Sequence, residues 1–226
     1  MTRFAAALIA GLATAALAAE RPTVAVLYFD VNHPDPNVQI FKKAFAQLLT
    51  VDLIADPKLK VVEREKLEEV LAELKLQSTK AFDPATAAKV GKLLGAKYQV
   101  TGSISLMLNG KDFAYQARVI DLEKGAAVAT PAPMRVMGTA DDLYDAEQKL
   151  AAMITAAIGR AEATTASNDV PPKRTRLKVE TAVKYGQALD LLDKKDKAAA
   201  KAKLQEVVKE QPDFLLASLD LDKLVK

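Results

Sequence analysis

The feature that most limits how this chain can fold is a long alternation between Tyr98 and Val119. Tyr98, Val100, Ile104, Leu106 and Leu108 alternate with Gln99, Thr101, Ser103, Ser105 and Asn109; Phe113, Tyr115, Ala117 and Val119 then alternate with Asp112, Gln116 and Arg118. A period of two sends the two sets to opposite sides of a strand, so one face is to be buried and the other wet. Asn109-Gly110 stands between the two runs, and this pair tolerates positive φ at both turn positions of a type I′ hairpin. The apolar face of such a hairpin has to be covered by another layer.

The flanking segments supply that layer. Thr23 to Phe29 is a continuous apolar run with β-branched and aromatic residues, which reads as a strand buried on both faces. Asp30 to Asn37, with prolines at 34 and 36, reads as a loop. Phe41, Ala44, Phe45, Leu48 and Leu49 recur at helical spacing and predict a helix from about Val38 to Ile54. Leu59 to Val62 is a second short strand, and Leu67, Val70, Leu71 and Leu74 form the stripe of a further helix. Asp83-Pro84 places an N-cap and a first-turn proline before Ala85 to Leu94, and Gly95 stands where a left-handed cap is needed. Glu123-Lys124-Gly125 turns the chain into a strand from Ala126 to Met137, whose Pro131 and Pro133 point to a sheet edge. Asp141 and Asp142 open a helix with Leu143, Leu150, Ile154 and Ile158 facing inward. The order implies an α/β (α+β) fold, a mixed β-sheet covered by helices.

Outside this domain the composition changes. Arg3 precedes an apolar run from Phe4 to Leu17 that closes on Ala16-Leu17-Ala18, the pattern of a signal peptide cleaved after about Ala18. A retained membrane span would need about 20 residues, more than this run offers. The chain has no cysteine, so neither a lipid anchor at the cleavage site nor a disulfide is expected. Removing Arg3 leaves 31 basic and 29 acidic residues, a balance that does not indicate nucleic acid. Residues 161–176 read as a linker containing Pro171-Pro172. In the last segment, 177–226, Ala182, Tyr185, Ala188, Leu189 and Leu192 line one helix, Ala200, Leu204 and Val207 line a second, and Pro212 ends it. Ala188, Ala200, Leu204, Val207 and Pro212 resemble the small, large and proline positions of a single tetratricopeptide repeat of about 34 residues. A lone repeat cannot bury its own faces, so Phe214 to Leu224 is expected to add a capping helix. The domain expectation is therefore a signal at 1–18, an α/β domain at 19–160, a linker at 161–176 and a TPR-like helical hairpin at 177–226.

Four stretches carry a family resemblance. Val24-Ala-Val-Leu-Tyr-Phe-Asp30, Val61 to Glu73, Gly91 to Ile104 and Ala117 to Gly125 together resemble, in order, the curli secretion channel (CsgG-type) proteins and their periplasmic relatives, over roughly residues 23–160. Similar domains occur in lipoprotein activators of penicillin-binding proteins and in the amino-terminal domain of the TolB translocation protein. The resemblance implies an α/β domain with a mixed sheet. The secretion channel also inserts long membrane hairpins, whose strands need about 9 to 11 residues each. Here Ile104 and Val119 are joined by one tight hairpin, and Thr130 to Asp141 is short and proline-interrupted. The resemblance therefore implies the family's periplasmic scaffold without its pore, used as an accessory or assembly factor.

Chemistry is sparse. With no thiol and the single His33, the chain lacks the usual parts of a nucleophilic or metal site, although His33, Asp35 and Asn37 share one loop. Gly91-Lys-Leu-Leu-Gly95-Ala-Lys97 has two glycines and a lysine, but it closes a helix, where a phosphate loop would open one. Asp141, Asp142 and Asp145 are read either as a cation site or as acids favoured by the helix dipole. Glu63-Arg64, between a strand and a helix, reads as an ion pair or capping contact. Tyr98, Phe113 and Tyr115 read as core, or as a contact surface if they point outward. No catalytic, cofactor-binding or metal residue is nominated, and no cofactor is expected. The expected function is a non-enzymatic periplasmic interaction factor that binds envelope proteins of an outer-membrane export or cell-wall machine. Alternatives are a subunit of an oligomeric outer-membrane export assembly and an enzyme with an unrecognised site.

Overall fold

A computed structural model describes residues 20–76, 83–106, 112–130, 132–141, 143–163 and 176–225, with backbone only at 37 and 106. The expected signal segment, the Asn109-Gly110 turn, Pro131, Asp142 and most of the 161–176 linker lie outside the described residues. Along the chain come β1 (Thr23–Val26), β2 (Asp30–Asn32), α1 (Pro36–Gln39), α2 (Phe41–Ile54), β3 (Lys60–Val61), α3 (Arg64–Glu73) and α4 (Pro84–Leu93). They are followed by β4 (Tyr98–Leu106), β5 (Asp112–Asp121), β6 (Ala126–Ala127), β7 (Met134–Thr139) and α5 (Leu143–Ala161). The last three elements are α6 (Val179–Asp193), α7 (Lys197–Glu210) and α8 (Leu215–Val225).

The alternating stretch forms the centre of the sheet. β4 and β5 pair antiparallel from Tyr98 opposite Asp121 to Leu106 opposite Phe113. β1 lies parallel to β4 and β3 parallel to β1, while β6 and β7 both pair with β5. The sheet is mixed and helices pack on it, as the order of elements implied. β7 has a single partner, in keeping with the edge position suggested by the prolines before it.

Two local expectations are corrected. The strand read from Ala126 to Met137 is two separate strands, β6 and β7, each paired with β5. Asp30–Asn32, read as the start of a loop, is a strand paired parallel with Ser103–Ser105. Val26 opposes Val100 and Asp30 opposes Ser103, so the first chain takes four steps where β4 takes three. The extra residue is a bulge at Leu27–Phe29, which breaks the period and hides the continuation from a pattern reading. The bulge lays Phe29 over Gly102, where a Cβ would stand 2.4 Å from the ring. Phe29 then reaches Phe45 of α2, with ring centroids 5.1 Å apart.

α2 and α5 cover one face of the sheet, and α4 packs against β4 on the other. The local chemistry of α4 is as expected: Asp83 accepts hydrogen bonds from the backbone N–H groups of Ala85 and Thr86, and Gly95 has φ +65°. α2 differs from a half-buried helix. Its apolar stripe meets the sheet, while Lys42, Lys43, Thr50 and Asp52 are buried as well; α6 lies against its other side, where Lys43 meets Asp190 and Asp193. The approach is close: a Cβ on Gly186 would come within 2.6 Å of the Ile40 carbonyl oxygen. Residues of α6 and of the chain before it, Leu177, Ala182, Tyr185 and Leu189, thereby join the same hydrophobic cluster as Phe41, Phe45 and Tyr115.

Candidate functional site

Two of the polar regions built by the fold differ in access, one largely buried and one open. The buried region lies where α6 meets the sheet domain. Lys43 Nζ is 2.7 Å from Asp193 Oδ2, 3.0 Å from Asp190 Oδ1 and 3.2 Å from Glu68 Oε1. Arg64 grips Asp193 with both terminal nitrogens, each at 2.9 Å, and donates to the Tyr28 hydroxyl at 3.2 Å. Tyr28 in turn donates to Glu68. Both cations are almost wholly buried. Burial by itself would lower the Lys43 ammonium, but Asp193 and Glu68 hold it above its usual range. Burial raises Asp190, and the lysines 194 and 43 outweigh it, leaving the carboxyl below its usual range. The charges of this cluster are paired with one another and tie α6 to α2 and α3, while Arg64 and Asp193 also border a pocket of about 510 Å³ with Glu63, Glu65, Asp220 and Lys223.

The open region is the other face of the sheet. β4 turns Thr101 and Ser103 outward, and β5 sets Arg118 opposite Thr101 and Gln116 opposite Ser103. β2 adds Asp30 beside Ser103, and β7 adds Arg135 beside Gln116. Gln116, Arg118, Arg135 and Met137 are exposed, and among the described residues no helix covers them. α4 forms a wall along one side of this face, leaving a groove of about 510 Å³ between Ala87, Ala88 and Lys92 of the helix and the strands. Lys92, Arg118 and Arg135 make no ion pair with the described residues.

A third feature lies in the core between these regions. Glu147 of α5 is completely buried, and neither carboxylate oxygen has a hydrogen-bond partner among the described residues. Burial pushes its carboxyl up to about 8. Tyr115 lies in the same field; burial first, and the Glu147 charge second, raise its hydroxyl above the ordinary value.

The residues singled out from sequence are dispersed. His33 Nδ1 accepts from the Asp35 backbone N–H at 3.1 Å, a local turn contact. Among the described residues no group of three or more carboxylate or imidazole side chains is placed to hold a metal ion. Gly91 is on the face of α4 that meets Gln99, and Lys97 pairs with Glu162 at 2.7 Å. Asp145 pairs with Lys149 one turn on. Tyr98, Phe113 and Tyr115 are buried. Of Glu63-Arg64, the arginine is the anchor described above, while Glu63 caps α3 without a side-chain hydrogen bond. Sequence reasoning passed over Lys43, Asp190 and Asp193. Their signal was a lysine pair inside an apolar helix and two acids three apart on one helix face.

Comparison with known proteins gives one family match over part of the chain. The model of the curli production assembly/transport component CsgG family matches residues 6–107, which bears out the sequence resemblance as far as the end of β4. The Ala117–Gly125 segment and the tetratricopeptide-like hairpin lie beyond that match. No curated protein matches the sequence. Among solved structures, the LpoB C-terminal domain from Escherichia coli is 16% identical with a TM-score of 0.39, covering 53% of this chain and 82% of that one. TolB from Acinetobacter baumannii is 15% identical at a TM-score of 0.39, over 62% of this chain and 28% of that one. Lipoprotein GNA1162 from Neisseria meningitidis is 14% identical at a TM-score of 0.39, over 63% and 98%. No described helix is long and apolar enough to cross a membrane.

Proposed function

We propose that this protein is a non-enzymatic accessory or assembly factor of the bacterial cell envelope, exported to the periplasm and binding protein partners of an outer-membrane export or cell-wall machine. The observation that carries the reading is the CsgG family match over the segment that builds β1 to β4. Binding is supported by the buried charged cluster being engaged in holding α6 while Thr101, Ser103, Gln116 and Arg118 line an open groove on the outer sheet face. That face is the docking surface in this reading. The helical hairpin serves to brace α2, while α7 and α8 keep their outer sides for further contacts, with Leu215 and Leu219 of α8 exposed. A TPR-like role for the hairpin belongs to the same proposal.

The test is a crosslinking pull-down of the tagged mature protein from intact envelopes, with light scattering of the purified material. Recovery of envelope proteins by a monomer or dimer, reduced when Thr101→Trp fills the outer face, is the expected result. Detergent-dependent recovery of a large homo-oligomeric ring would replace this reading with the export-assembly one. A copurifying cofactor or metal would favour an enzyme.

A further inference from the structure

We propose that the groove between α4 and the outer face of β4 and β5 binds an extended, acidic peptide segment of the partner, with Arg118 holding its carboxylate. The inference rests on the outer face being the docking surface and goes on to name what it takes.

Space, spacing and charge lead to this occupant. The groove's volume of about 510 Å³ lies in the range that accommodates a ligand or a few residues of chain. Thr101 and Ser103 stand two residues apart on β4, with Arg118 and Gln116 at the matching positions of β5. Successive rows of a strand face are separated by about 7 Å, which is also the two-residue repeat of an extended peptide. Hydroxyl and carboxamide groups donate and accept, so each row offers a partner to one main-chain N–H or C=O of a peptide laid along the groove.

Charge selects the side chains. Arg118 is exposed and makes no ion pair among the described residues, and Lys92 on the helix wall and Arg135 beside Gln116 are in the same condition. A guanidinium presents a planar fork that matches a carboxylate with two parallel hydrogen bonds. Asp30, at the β2 end of the groove, is matched by the charge of Lys42, so the positive charge left without a counter-charge among the described residues lies at the Arg118 row. Among the described residues no aromatic ring lines the groove, so these walls offer a sugar or base no platform on which to stack.

Fluorescence anisotropy of the mature protein tests this with short labelled peptides of alternating Glu and Gly, Gln and Gly, or Lys and Gly, and with oligogalacturonate as competitor. The Glu peptide is expected to bind about tenfold more tightly than the Gln peptide, as one charge-assisted contact would give. The advantage should shrink with added salt and vanish in Arg118→Gln and Arg118→Glu, while the distant Lys209→Gln keeps it. Equal binding of Glu and Gln peptides, or a Glu preference untouched by the Arg118 variants, overturns the proposal. Arg118-dependent binding of oligogalacturonate that excludes the peptide overturns it in favour of a saccharide site. Loss of envelope partners in Thr101→Trp but not in Arg118→Glu would leave the docking surface standing and remove the acidic segment alone.

Discussion

At the scale of single residues, Glu147 and Asp193 contrast a carboxylate without a partner and one held by two cations. Glu147 has no hydrogen-bond partner among the described residues, so the folded state favours its protonated form; its folded value of about 8 lies above the ordinary 4.5. The linkage has a definite sign. The stabilising effect of the proton is complete below pH 4.5 and is lost as pH rises through about 8. At pH 7 the cost is about 3 kcal/mol. Urea unfolding of Glu147→Gln is therefore expected to show a variant that gains on the wild type between pH 5 and pH 8. A constant difference across that range would refute the assignment. Asp193, by contrast, is held by partners, since it faces Lys43 and Arg64 at once. Removing one partner of a buried ion pair strands the other charge, so Asp193→Ala should cost about 3 kcal/mol or more. Hydrogen exchange should then accelerate in α6. Loss of less than about 0.5 kcal/mol, the scale of an exposed pair, would mean that the cluster is open to water.

At the scale of elements, the contact between α6 and α2 depends on a missing side chain. Alanine at 186 would gain about 1 kcal/mol of helix propensity over glycine. Its Cβ would also meet the Ile40 carbonyl oxygen at 2.6 Å, a backbone atom that has no rotamer by which to yield. Overpacking of this kind costs about 1 to 3 kcal/mol, so Gly186→Ala is expected to lower the melting temperature. A rise would show that the helices slide apart freely. The sheet elements illustrate what a pattern can hide. β4 and β5 were legible because their alternation is unbroken, whereas β2 was hidden by the bulge at Leu27–Phe29, which shifts the register by one residue. The caps of α4 were legible for a different reason: Asp83 bonds to groups two and three residues away.

At the scale of the whole molecule, the hairpin of α6 and α7 shares a core with the sheet domain. Leu177, Ala182 and Tyr185 belong to the same cluster as Phe41 and Phe45, and the ion pairs of Lys43 and Arg64 span the same boundary. A composition reading separates residues 19–160 from 177–226 by a linker. Shared burial argues that the two melt together. Calorimetry of the mature protein should give one transition whose calorimetric and van't Hoff enthalpies agree. Two transitions would instead establish the hairpin as an independent unit.

What the sequence determined by itself was local: the periods of β4, β5, α2 and α5, the caps at Asp83 and Gly95, and the family resemblance that runs through β1 to β4. Each of these signals acts within a few residues along the chain. The tertiary structure alone decided that two lysines in an apolar helix would be buried, that α6 would close over Lys43, and that one side of the sheet would stay open. Those outcomes depend on pairs such as Arg64 with Asp193 and Lys43 with Asp193, which stand 129 and 150 residues apart. No periodicity reports such a pairing, because a buried charge is tolerated only where the folded chain brings its counter-charge to meet it.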